Sequence, residues 1–190
     1  MLDTKEKGLR IEPRGRINKW DLVVLSNSNY AGDQETRISV SGFILYLMRV
    51  ASSWRTKGQK SVTLSSSEAE LVALSETAKE VNFVVHILLL MKMAVEILVV
   101  VQVNNVWAIF MTENVTACSH MWHVDICYHF VREFVEDGFT KIMFVKTADK
   151  DADLFTMNIN GETYDRHKGK FLSEQPKYDR DGISREQEGC

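Results

Sequence analysis

The chain alternates first and turns helical later. Residues 21–29, DLVVLSNSN, set Val23, Leu25, Asn27 and Asn29 on one face by the two-residue period of a strand, and the run passes from apolar to polar. After the turn-like AGDQETR, the stretches SVSGFILYLM and ASSWR predict two more strands joined by a short link, so the domain opens as an antiparallel meander. Ser65-Ser66-Ser67-Glu68 then has the S-x-x-E form of a capping box and predicts the start of a long helix. Helical spacing places Glu70, Leu74, Ala78, Val81, Val85 and Leu88 on one inward face, with Glu68 about 200° away from Glu70 around the axis.

Residues 97–104, ILVVVQVN, are a nearly continuous apolar run of strand length, the pattern of a central strand covered on both faces. A short helix is predicted over NVWAIFMTE, a longer one over HVDICYHFVREFVEDG closing near Gly138, a fifth strand over TKIMFVK, and a last short helix from Asp149. This order implies an α/β domain with a mixed sheet over residues 21–156. From Met157 onward thirteen of 34 residues are charged and the apolar ones are scattered, which predicts a poorly ordered tail over 157–190.

Composition narrows the class without naming a chemistry. With 190 residues, 45% apolar and 26% charged, and a mean hydropathy of -0.17, a single soluble domain with a peripheral segment is expected. The most apolar stretch, 83–103, is interrupted by His86, Lys92, Glu96 and Gln102, so it reads as core and no membrane association is expected. Three cysteines, Cys118, Cys127 and Cys190, have no framework spacing, and Asp3, Lys5, Glu6 and Lys7 stand where a secretory core would be; cytoplasm or nucleus is the expected location. Residues 1–20 carry six Lys/Arg against three Asp/Glu, whereas 21–156 carry eleven against sixteen, so the domain itself is acidic.

Five phrases occur in order between about residue 20 and residue 156: SNSNYAGDQETRISVSGF, SWRTKGQKSVTLSSSEAELVALSETAKE, VNNVWAIF, HVDICYHFVRE and DADLFT. Together they resemble the ribonuclease H region of copia-type retrotransposon Pol polyproteins, whose wording runs close to SDADWAGD, STSG, VALSSTEAEYMALSEAAKE, CDNQSAI, KHIDIRYHFIRE and DQLADIFTK. The resemblance implies a ribonuclease H-like α/β fold, a five-stranded mixed sheet in the order 3-2-1-4-5 flanked by helices. It also implies that residues 1–20 are the remnant of a linker from a reverse transcriptase domain. No Y-x-D-D polymerase motif is found in the chain.

The activity implied by the resemblance is hydrolysis of the RNA strand of RNA–DNA hybrids, with carboxylates holding two Mg2+ or Mn2+ ions. The four acidic positions of such regions fall on Asn27, Glu70, Asn104 and Asp153. Two of the four are amides, which lowers the charge of the set from about -4 to about -2. Glu70 and Asp153 are the metal ligands that persist, and they imply weak metal binding. Asn29 stands at a further acidic position.

Each of these residues has a plainer reading. Glu70 is placed to be the far partner of a capping box begun at Ser67, Asn27 and Asn104 suit strand ends as turn formers, and Asp153 suits a helix N-terminus. Arg55, Lys57 and Lys60 are candidates for holding a hybrid through its phosphates, or a solvated basic loop. Cys118, His120, His123, Cys127 and His129 raise the question of zinc, with His123 and Cys127 four apart on a predicted helix. Three functions follow: an RNA–DNA hybrid nuclease whose activity is weak or lost, a non-catalytic module binding nucleic acid or protein through the same fold, and a decayed reading frame without function.

Overall fold

The computed structural model describes residues 7–12, 20–95, 98–113, 125–146, 151–157, 159–170 and 172–174. Seven strands appear among them: β1 (Lys7–Leu9), β2 (Leu22–Asn29), β3 (Val40–Leu47), β4 (Val50–Gly58), β5 (Val99–Val103), β6 (Thr140–Phe144) and β7 (Leu172–Glu174). The helices are α1 (Ser66–Leu90), α2 (Val106–Glu113), α3 (Asp125–Glu136) and α4 (Gly161–Lys168), with a 3-10 helix at Asp151–Phe155.

The main sheet has the order β4-β3-β2-β5-β6; counted within that sheet alone this is 3-2-1-4-5. β2, β3 and β4 form the antiparallel meander, and β5 and β6 add in parallel beside β2. β3 turns into β4 through Met48 and Arg49, both at positive φ (52° and 66°), the backbone of a two-residue hairpin without the glycine that usually occupies it. Met48 is buried, and its N–H donates to the Asp21 carbonyl at 3.1 Å, contacts that offset the unfavourable backbone.

α1 begins as its sequence dictates. Ser65 is the N-cap, its hydroxyl accepting from Glu68 N at 3.2 Å, while Glu68 Oε2 accepts from Leu64 N at 2.6 Å. Because Ser65 is the cap and Ser67 lies within the helix, Glu70 is not the partner of a Ser67 box. The inward face is as expected, and Glu68 is buried beside the cap as well.

The core has two layers. Leu71, Leu74, Val81, Val85 and Leu88 of α1 pack on Val24, Leu45, Val99 and Val101 of the sheet. On the opposite face Leu25, Ile44, Ala51 and Ala152 form a smaller cluster, flanked by Val23, Tyr46 and Phe155.

The expectation of a poorly ordered tail from Met157 is corrected over 159–170 and 172–174. Asn160 caps α4 by accepting from Thr163 N at 2.8 Å, and β7 pairs antiparallel with β1 of the N-terminal segment. Charge density hid this because the charges are partnered: buried Asp151 accepts from His167 Nδ1 at 2.5 Å and from Lys170 Nζ at 2.7 Å. Residues 1–20, read as a linker remnant, thus contain a paired strand. Among the described residues, no helix is long and apolar enough to cross a membrane.

Candidate functional site

β2 delivers Asn27 to the sheet face away from α1, almost wholly buried at 1% exposure. Its Nδ2 donates to Asp153 Oδ1 at 2.8 Å and to Thr156 Oγ1 at 2.5 Å. Two residues along, Asn29 Nδ2 donates to the Thr156 carbonyl at 3.2 Å. Between them, the Ser28 backbone N–H donates to Glu70 Oε1 at 3.2 Å, so the α1 carboxylate reaches the same strand end. Glu70 and Asp153 are both buried.

Asn104 directly follows β5. The β2–β5 register pairs Val23 with Val100 and Leu25 with Gln102, and extending it by two residues sets Asn104 beside Asn27. All four positions singled out in the sequence therefore gather at one strand end. Asn27 and Asp153 are joined directly, Glu70 is joined through Ser28, and Asn104 lies just past the end of the neighbouring strand.

Gly42, opposite Asn27 on β3, admits the segment that carries Asp153. A Cβ there would stand 2.6 Å from Thr156 Cγ2 and 3.0 Å from Phe155 Cβ. A side chain at this position would push the 3-10 helix off the sheet, and the hydrogen bonds to Asn27 would lengthen.

This donor set does not fit a two-ion centre. An ion bound between carboxylates needs oxygens facing it, whereas here an amide N–H2 faces the Asp153 carboxylate and supplies the positive end of the interaction. The amide cannot ionise, so the set keeps only the charges of Glu70 and Asp153. Among the described residues, no three of His, Cys, Asp and Glu come together in a way that would hold a metal ion.

The other candidates separate. Arg55 and Lys60 are exposed on and just beyond the edge strand β4, whereas Lys57 is paired with Glu76 at 3.2 Å. Of the proposed zinc cluster, Cys118, His120 and His123 lie outside the described residues. Cys127 packs against the hydrophobic core and His129 pairs with Asp125 at 3.3 Å.

Comparison with known proteins places these features. The chain is 31% identical over 154 residues, 81% of its length, to a retrovirus-related Pol polyprotein from transposon RE1 of Arabidopsis thaliana. It is 32% identical over 143 residues, 75% of its length, to that from transposon RE2 of the same plant. The chain is a ribonuclease H-fold region related to retrotransposon Pol polyproteins. It spans about a tenth of the length of those relatives.

The fold of this ribonuclease H-like region recurs in solved structures of low sequence identity. The N-terminal RNase H domain of a Mycobacterium tuberculosis protein, solved as a fusion with maltose-binding protein, superposes with a TM-score of 0.54 at 10% identity, covering 79% of this chain and 95% of that one. RNase H1 of the archaeon Halobacterium salinarum gives 0.51 at 12% identity, covering 77% and 98%. A foamy viral protease-reverse transcriptase in complex with RNA/DNA hybrid gives 0.50 at 10% identity, covering 77% of this chain and 20% of that one. No protein-family model matches the chain.

Sequence reasoning missed Thr156 and Ser28. Thr156 was within reach, since it stands three residues beyond Asp153 in DADLFT and one 3-10 turn returns it to the same side. Ser28 acts through its backbone, for which no side-chain pattern exists.

Proposed function

We propose that this ribonuclease H-like region descends from a domain that hydrolysed the RNA strand of RNA–DNA hybrids with Mg2+ or Mn2+ beside a reverse transcriptase, and that its own site no longer carries out that reaction. The hydrogen bond from Asn27 Nδ2 to Asp153 Oδ1 carries the proposal. In two-ion hydrolysis one ion generates the hydroxide and the other stabilises the leaving oxygen, so the site must concentrate negative charge. Here one acidic position instead donates a hydrogen bond to another, and a second is the neutral Asn104.

Hybrid binding is the function that the remaining surface supports, and it is weak. Arg55 and Lys60 offer phosphate contacts, Lys57 is engaged by Glu76, and residues 21–156 carry a net charge of -5 from eleven Lys/Arg against sixteen Asp/Glu. Cytoplasm or nucleus, where hybrids and their polymerases occur, is the location this reading implies.

A labelled RNA–DNA hybrid incubated with the protein and Mg2+ or Mn2+ tests the reading. The expected result is no cleavage above a protein-free control, with binding that disappears as salt is raised. Metal-dependent cleavage by the unaltered protein would overturn it.

A further inference from the structure

On the sheet face away from α1 lies a cavity of about 490 Å3, within the size range of small-molecule sites. It is separate from the Asn27–Asp153 site, whose linking side chains do not line it. Its floor is apolar, formed by Val23 and Leu25 of β2. Gln102 of β5 adds an amide that can donate and accept.

The charges around this floor do not cancel. Arg10, Arg49 and Lys170 line the cavity with Glu12 and Asp151. Arg10 pairs with Glu12 at 2.9 Å and Lys170 with Asp151 at 2.7 Å. Among the described residues Arg49 has no ion-pair partner, so the lining holds one cation more than its carboxylates balance. Arg10 Nε is also shielded from solvent without an acceptor.

The wall is built in advance. Asp151 accepts from Tyr46 Oη at 2.7 Å through Oδ2 and from His167 and Lys170 through Oδ1, which ties β3, the 3-10 helix and the α4 segment to one buried carboxylate. With its oxygens satisfied, Asp151 shapes the cavity without demanding a cation from the ligand. Pre-formed walls of this kind reduce the ordering that binding requires.

We propose that this cavity binds a small monoanion with a flat apolar body, the body on Val23 and Leu25 and the carboxylate on Arg49. The charge balance selects a monoanion over a phosphate monoester. A dianion would leave surplus negative charge beside Asp151 and Glu12, whereas a single carboxylate neutralises the lining and forms a forked pair with a guanidinium.

The probe is 2-naphthoate, titrated into 15N-labelled protein and followed by amide chemical shifts. An uncharged analogue, 2-naphthalenemethanol, and the dianion AMP serve as comparisons. The expected result is a dissociation constant of about a millimolar or tighter, reasonable for a ligand of this size, with shifts at Leu25, Tyr46, Arg49 and Gln102. Arg49→Asn, which keeps a residue that tolerates positive φ, is expected to weaken naphthoate about tenfold while preserving the amide spectrum elsewhere. Shifts confined to other surfaces, equal binding of the uncharged analogue, tighter binding of AMP, or an unchanged constant in Arg49→Asn would each overturn the proposal.

Discussion

Asn27 places its two amide hydrogens near two acceptors, Asp153 Oδ1 and Thr156 Oγ1, inside a site where only 1% of its surface is exposed. An aspartate in its place would lose the donor and set a second buried carboxylate against the first. Asn27→Asp is therefore expected to destabilise the fold by about 2–3 kcal/mol without divalent cations, and millimolar Mg2+ is expected to recover part of that loss. Thermal unfolding with and without Mg2+ checks this; a melting temperature equal to that of the unaltered protein in both conditions would contradict it. Tyr46 gives a second residue-scale prediction. Burial, then the Asp151 carboxylate beside it, pushes its phenol well above the usual range. Above the ordinary tyrosine pKa of about 10 the unfolded chain ionises there while the folded protein keeps its proton, so this residue's contribution to stability is intact below that pH and declines above it. Tyr46→Phe removes this decline along with one hydrogen bond. The variant is expected to be less stable at neutral pH and to lose less of its stability between pH 9 and 11, measured by denaturant unfolding.

Elements with local causes were legible in the sequence. α1 starts where the Ser65 hydroxyl satisfies the free N–H of Glu68, and α3 is followed by Gly138 at φ 69°, the left-handed position that glycine adopts without strain. The β3–β4 turn was legible as a short link, but its strain was not, because Met48 and Arg49 lack the Asn-Gly signature. Arg49→Gly relieves the second of these residues and is expected to stabilise the protein by about 0.5–1 kcal/mol, read from its urea midpoint. α4 and β7 were hidden for a different reason. Their hold on the body runs through Tyr46, Asp151, His167 and Lys170, which are far apart in sequence, and no local periodicity reports such a cluster. Asp151 is a buried carboxylate on which Tyr46, His167 and Lys170 converge. Asp151→Leu alone strands His167 and Lys170 and is expected to cost about 3 kcal/mol, whereas Asp151→Leu with His167→Leu is expected to regain most of it. Additive losses in that double-mutant cycle would show that the pair is not coupled.

At the scale of the whole molecule, the order of elements followed from periodicity, and the sheet gathers Asn27, Glu70, Asn104 and Asp153 because parallel β2 and β5 end on the same side. The motif wording pointed to these four positions; the direction of their hydrogen bonds required the structure, since a sequence shows that residue 27 is an amide but not that its N–H2 faces Asp153. On the proposed reading, the frame of a two-ion nuclease is kept while its charge is replaced by internal hydrogen bonding. The direct test is cleavage of a labelled RNA–DNA hybrid in Mg2+ by the unaltered protein and by Asn27→Asp combined with Asn104→Asp. No product is expected from the unaltered protein, and metal-dependent product is expected from the double variant. Cleavage by the unaltered protein, or a folded double variant that stays inert, would contradict it.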